Sequence, residues 1–144
     1  MSFDPYIHFQ GNCAEAMTFY SSLFGADDLQ IMRYSQTPDG PPEFAGSDLV
    51  LHASLVLGGR VLMASDYPPG MPGLPQQSVS VSHTLPDAQK ARAVFDALSE
   101  GGAEIMAFGE TFFCEGFGMV RDRFGTHWMI GGPMKEFARA SRGA

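Results

Sequence analysis

Four side chains have the chemistry to hold a metal ion, transfer a proton or attack a substrate: His52, Glu110, Cys114 and His127. Imidazole and carboxylate groups can together hold a divalent ion that polarises a substrate oxygen. A thiol becomes a nucleophile when a neighbouring base activates it, but no Cys-His-Asn arrangement is visible around Cys114. Each group also has a structural interpretation, as a core or surface histidine, a small buried thiol or a solvated carboxylate. The catalytic residues therefore stay unassigned.

A predicted hairpin at 48–65 places the first of these groups. Gly58-Gly59 is a typical two-residue hairpin turn, so Leu57 and Arg60 should face each other. Side chains alternate along a strand, and cross-strand partners share a face. Met63 should therefore lie on the same face as His52.

A second predicted hairpin, at 114–132, places the others. With Asp122–Gly125 as a four-residue turn, Arg121 should pair with Thr126, and the face of Met129 would carry His127. The same face would continue through Gly118 and Gly116 to Cys114, and to Glu110 if the strand has no bulge. Methionine suits an irregular apolar ligand. We therefore predict a ligand-binding pocket lined by six residues: His52, Met63, Glu110, Cys114, His127 and Met129.

Two further histidines, His8 and His83, are 75 positions apart. This spacing predicts equivalent positions in two halves of the chain. Their parity groups them with Tyr6 and Val81, which we expect to pack against helices. A structural role is the expectation for this pair.

Two helices are predicted, one in each half of the chain. Asn12 followed by Glu15 resembles a capping box, and Gly25 is a typical helix stop. The second helix is expected over Asp87–Glu100, closed by Gly101-Gly102.

Each half of the chain has the pattern strand, helix, strand, strand, strand. Aligned residues support a duplication of about 70 residues, too long for a solenoid repeat. We predict an α+β fold: a βαβββ module at 1–66, a Pro/Gly-rich linker at 67–77, a second module at 78–132 and a short terminal helix at 133–144. Together they are expected to form one compact domain.

Composition narrows the function classes. The 144 residues carry a formal net charge of −7 and only nine Lys and Arg, with no basic stripe, which argues against a nucleic-acid partner. No apolar run approaches the length of a membrane span. Two cysteines without a CxxC pair favour thiols and a cytoplasmic protein. Neither GxGxxG nor GxxxxGK[ST] occurs, so nucleotide binding is unsupported.

Four stretches carry a resemblance to a known family: GNCAEAMTFYSSLFG, VLHASLVLGGRVLMASD, LSEGGAEIM and FGMVRDRFGTHWMIG. They resemble the PhnB-like branch of the vicinal oxygen chelate superfamily, which includes glyoxalase I, extradiol dioxygenases and bleomycin-resistance proteins. The resemblance implies curved mixed sheets around a cavity, and a homodimer. It also places the family's metal ligands at Pro5, Met63, Ser80 and Met129, none of which is a normal ligand for a divalent ion. The usual metal site is therefore expected to be missing.

Three functions remain open. The first is binding of a small apolar or aromatic molecule in the sheet cavity, with no cofactor. The second is a lyase, isomerase or dioxygenase type of enzyme whose divalent ion is held at a shifted site by His52 and Glu110, with or without His127. The third is an interaction protein with a vestigial cavity, which would bind no ligand.

Overall fold

The computed structural model describes residues 1–136, which fall into two compact units that meet at Gln76 and Gln77. Each unit has the order strand, helix, strand, strand, strand. The first unit contains β1 (Tyr6–Phe9), α1 (Cys13–Phe24), β2 (Asp28–Arg33), β3 (Val50–Leu57) and β4 (Arg60–Asp66). The second contains β5 (Val81–Thr84), α2 (Ala88–Ser99), β6 (Ala103–Gly109), β7 (Phe117–Arg121) and β8 (His127–Gly131). The predicted α+β fold of two tandem βαβββ modules is confirmed.

Each unit is a curved, four-stranded mixed sheet with one helix on it. The strand orders are β1-β4-β3-β2 and β5-β8-β7-β6, and only the first and last strands of each module pair in parallel. Helix α1 packs on the first sheet and α2 on the second. We call the side of each sheet that its own helix covers the helix face, and the other side the open face. No helix among residues 1–136 is long and apolar enough to cross a membrane.

Alternation along the strands separates the two faces. In β1, Ile7 and Phe9 are buried while Tyr6 and His8 are exposed. In β8, Trp128 and Ile130 are buried, whereas His127 and Met129 are half-buried. The apolar core of each unit therefore lies between its sheet and its helix, as period-two burial requires.

The start of α1 is held by Asp66 rather than by the predicted capping box. The Asn12 side chain makes no capping hydrogen bond. Instead, one carboxylate oxygen of Asp66 accepts the amide hydrogens of Gly11 at 2.8 Å and Cys13 at 3.0 Å, and the other accepts that of Val50 at 2.8 Å. This buried carboxylate ties the helix to β3 and β4. The helix ends as predicted, with Gly25 in the left-handed conformation at φ 66°.

The predicted register of the second hairpin is wrong by one residue. Arg121 pairs with His127, and Met119 with Met129. The Asp122 amide donates to the Thr126 carbonyl at 2.9 Å, so the loop contains three residues, 123–125, instead of the predicted four. A slip of one residue exchanges the two faces of a strand.

The slip changes which residues share the face of Met129. Gly118 pairs with Ile130 and belongs to the helix face, whereas Met119 belongs to the open face. In addition, β7 begins only at Phe117, so Cys114 and Glu110 precede the strand.

The predicted equivalence of His8 and His83 is also wrong by one residue. In the parallel pairs, Tyr6 lies opposite Met63 and Ser82 lies opposite Met129. Tyr6 and Ser82 are therefore equivalent, and they are 76 positions apart in the sequence. His8 therefore lies on the open face, contrary to the expectation. His83 pairs with Ile130 on the helix face, as expected.

The same pairing corrects the positions transferred from the family. Tyr6 and Ser82 are the direct neighbours of Met63 and Met129, the places that had been given to Pro5 and Ser80. Neither a phenol nor a hydroxyl of this kind replaces the imidazole or carboxylate that the family's divalent ions require.

Two predicted segments lie outside the two modules: the linker at 67–77 and the terminal helix at 133–144. The predicted linker 67–77 has no strand or helix, and the unit boundary falls at its end. Of the predicted terminal helix, Pro133–Glu136 is described, and Met134 bridges to Cys114. Residues 137–144 lie outside the described part of the chain.

Candidate functional site on the open faces of the two sheets

The open face of the first sheet carries two cross-strand rows of side chains. One row runs Tyr6, Met63, Ser54 and Gln30. The other combines two cross-strand pairs, His8 with Ser65 and His52 with Met32. The rows are about 6.6 Å apart along the strands. Hence His52 and Met63, predicted to share a face, lie in neighbouring rows of it.

A tyrosine joins the two histidines of this face. The Tyr6 hydroxyl lies 3.0 Å from Nδ1 of His52, and the two ring centroids are 5.6 Å apart. The Tyr6 ring is also 5.1 Å from the imidazole of His8. Tyr6 is 40% exposed, so this contact lies at the surface and not in the core.

His8 makes two further contacts. Its Nδ1 lies 3.3 Å from the Ser65 hydroxyl, and its ring is 5.6 Å from that of Tyr67. Tyr6, His8, His52 and Tyr67 thus form one chain of rings, which we call the ring cluster. Each imidazole has a hydroxyl oxygen close to its Nδ1 atom, that of Tyr6 for His52 and that of Ser65 for His8.

The open face of the second sheet carries a row of thioethers. Met106, Met119 and Met129 lie side by side on β6, β7 and β8, and Ser82 continues the row on β5. We call the three methionines the methionine row. Met106 is 47% exposed. His127 lies on the same strand face as Met129, two residues before it.

Glu110 is an exposed residue in the segment between β6 and β7. Its carboxylate forms an ion pair with Lys135 at 2.6 Å. The hydrogen bond from Lys135, and then its positive charge, lower the pKa of Glu110. This carboxylate is therefore ionised and already paired near neutral pH.

Cys114 is buried, with 3% of its surface exposed. Its thiol donates to the carbonyl oxygens of Gly116 at 3.0 Å and Gly132 at 3.3 Å. These bonds tie the segment before β7 to the end of β8. This placement suits a structural thiol, and a ligand contact at Cys114 stays a prediction.

The other cysteine is buried beneath the first sheet. Burial, and secondarily the charge of Asp66, raise the pKa of Cys13 to about 12. Burial likewise raises the pKa of Tyr34, whose hydroxyl donates to the Asp66 backbone carbonyl at 2.8 Å. Neither group is poised for chemistry at neutral pH.

Few side chains that could bind a metal ion come together in residues 1–136. Among residues 1–136, no group of three or more His, Cys, Asp or Glu side chains comes together in a way that could hold one. His8 and His52 are two imidazoles on one face, and the neighbours in their rows are serine and methionine. At the four positions that the resemblance gives to metal ligands, the sheets carry Tyr6, Met63, Ser82 and Met129.

Sequence reasoning missed Tyr6, His8, Met106 and Met119 as open-face residues. For Met119, the signal would have been a three-residue hairpin loop, Arg123-Phe124-Gly125, which ends on a glycine with positive φ. For Tyr6 and His8, it was the alternation with the apolar Ile7.

Comparisons with known proteins match nearly the whole chain. The family model described as 3-demethylubiquinone-9 3-methyltransferase matches residues 1–131. Protein YjdN from Escherichia coli (strain K12) is 31% identical over 142 residues, which span 90% of this chain and 94% of that protein.

Solved structures also match nearly the whole chain. Protein PA1353 from Pseudomonas aeruginosa superposes with a TM-score of 0.83 at 36% identity, covering 92% of this chain and 97% of that chain. A PhnB protein from Bacillus cereus gives 0.70 at 28% identity, covering 92% and 100%. A glyoxylase/bleomycin resistance protein/dioxygenase domain from Frankia sp. EAN1pec gives 0.64 at 12% identity, covering 94% and 92%, which is a likeness of fold.

Proposed function

Because this chain belongs to the family described as 3-demethylubiquinone-9 3-methyltransferase, the PhnB-like branch of the vicinal oxygen chelate fold, we propose that it binds a small apolar or aromatic molecule against the open faces of its sheets. In this proposal the usual metal site of the superfamily is absent. The two buried free thiols support a cytoplasmic location. The methyltransferase name is not transferred, since the sequence has no glycine-rich motif of the nucleotide-binding kind.

The observation that carries the proposal is the methionine row. Three thioethers lie side by side on three strands, on the face that α2 does not cover. Methionine adapts its shape to a ligand and makes favourable contacts with aromatic rings, worth about 0.3–1.5 kcal/mol each. The row thus offers an apolar ligand a flexible surface rather than a set of polar contacts.

The first open face supports the same class of ligand. Met63 lies next to Tyr6, and Tyr6 and Tyr67 add ring surfaces on either side of His8. Aromatic side chains combine a large apolar area with preferred stacking geometries. Both faces therefore favour an apolar or aromatic molecule.

The alternative, an enzyme with a shifted metal site, has less support. It requires the Glu110 carboxylate as a ligand, and that carboxylate is paired with Lys135. It also requires a donor set of at least three, which residues 1–136 do not bring together.

Uptake of the uncharged dye Nile red tests the proposal. Dye fluorescence should rise on binding to the wild-type protein, and Met129→Lys or Met63→Lys should lower the apparent affinity at least tenfold, because an ammonium group replaces the apolar surface. Met71→Lys is the matched control, since Met71 is 55% exposed and lies outside both sheets. Undiminished uptake by both sheet variants, with unchanged circular dichroism, would refute the assignment.

A further inference from the structure

The ring cluster of the first sheet offers more polar chemistry than an apolar ligand needs. We propose that His8 and His52 recognise the carboxylate of an aromatic acid whose ring lies against Tyr6 and Met63. This inference rests on the proposed function for the ring and adds the charged group to it.

Each of the two imidazoles has a hydroxyl oxygen within hydrogen-bond distance of its Nδ1 atom. The Tyr6 hydroxyl is 3.0 Å from Nδ1 of His52, and the Ser65 hydroxyl is 3.3 Å from Nδ1 of His8. In this proposal both hydroxyls donate to Nδ1, which places the ring hydrogen of each imidazole on Nε2. Each imidazole then presents one N–H group, and two such donors match the two oxygens of a carboxylate.

The surroundings of the two imidazoles contain no competing carboxylate within their rows. On the open face, the cross-strand neighbours of His8 and His52 are Ser65 and Met32, and the next row is also uncharged. The nearby Asp66 lies on the other face, where three backbone amides occupy its oxygens. An anion can therefore approach the cluster although the chain as a whole carries a net charge of −7.

The position of the Tyr6 ring fits a ligand ring with an attached carboxylate. The centroid of the Tyr6 ring is 5.1 Å from that of His8 and 5.6 Å from that of His52, and Met63 is its cross-strand neighbour. A planar ring against the phenol and the thioether would direct its carboxylate towards the imidazoles. Stacking on the aromatic side chains orients the ring, and hydrogen bonds orient the acid group.

Benzoate and benzamide test this proposal, because they share a ring and differ in the charged group. By titration calorimetry, the wild-type protein should bind benzoate at least tenfold more tightly than benzamide. Benzoate should also shift the Nε2 resonances of both imidazoles in nitrogen NMR spectra. Equal affinities for the two compounds would overturn the proposal.

Variants locate the preference on the cluster. The double variant His8→Phe/His52→Phe keeps the rings but removes the donors, and should bind the two compounds equally. His83→Phe is the matched control, since His83 lies on the helix face, and it should keep the preference. A preference that survives in the folded double variant would also overturn the proposal.

The Nile red experiment separates this inference from the proposed function. If dye uptake depends on Met63 but benzoate and benzamide bind equally, the apolar site stands and the carboxylate site is refuted. If the benzoate preference depends on the histidines but dye uptake ignores both methionines, the carboxylate site stands and the apolar function is refuted.

Discussion

Three backbone amides of the first unit donate hydrogen bonds to the buried carboxylate of Asp66. It is 2% exposed and accepts the amide hydrogens of Gly11, Cys13 and Val50. An unsatisfied buried donor costs about 1–3 kcal/mol, so Asp66→Ala should lower the free energy of unfolding by at least about 3 kcal/mol. Urea denaturation measures this change. The exposed Asp48→Ala should stay within about 0.5 kcal/mol of wild type, and an equally small effect at Asp66 would contradict the capping role.

We expect His83 to make the stability of the second unit decrease at acidic pH. Burial lowers the pKa of His83 below its usual 6.5. Well above pH 6.5 the ring is neutral in both the folded and the unfolded state and has no linkage effect. As the pH falls below 6.5, the unfolded chain takes up the proton first, so stability is lost. His83→Phe should therefore lose less stability than wild type between pH 7 and pH 5, as judged by urea midpoints. Parallel losses in the two proteins would show that His83 is not the group responsible.

At the scale of elements, Gly118 sets how closely α2 packs on its sheet. A Cβ atom at this position would lie 2.6 Å from Cε2 of Phe95 and 3.1 Å from Cα of Phe108. Overpacking of this kind costs about 1–3 kcal/mol, so Gly118→Ala should lower the melting temperature by several degrees. Gly109→Ala is the matched control, because a Cβ there meets nothing within 4 Å. Equal melting temperatures for the two variants would argue against this close packing.

The two hairpins show what a sequence does and does not reveal about register. The Gly58-Gly59 turn has positive φ at both residues, 54° and 76°, and the predicted pairing of Leu57 with Arg60 is confirmed. In the second hairpin the Asp122 carboxylate accepts the amide hydrogens of Phe124 and Thr126, each at 2.9 Å. The same group binds the Trp128 indole at 2.9 Å. Turn propensity could not foresee that Asp122 would join the pairing, opposite Thr126, and shorten the loop to three residues.

At the scale of the whole molecule, the duplication was visible in sequence because both halves repeat the same helix pattern and the same hairpins. The open faces differ, since one carries the ring cluster and the other the methionine row. The helix faces must keep an apolar pattern in order to bury a core, whereas this requirement does not apply to the open faces. The scaffold was therefore predictable from periodicity, but the composition of the site depended on registers that periodicity does not set.

Native mass spectrometry tests the molecule as a whole. We expect a homodimer that carries an added organic mass and no divalent ion. The reason is exposed apolar surface: Ile105 and Met106, on the edge strand β6, are 52% and 47% exposed, and such surfaces are typically covered by a ligand or a second subunit. Met129→Lys should lose the added mass, while Met71→Lys keeps it. One retained divalent ion per chain would instead favour a metal-dependent enzyme, and a monomer at micromolar concentration would refute the dimer.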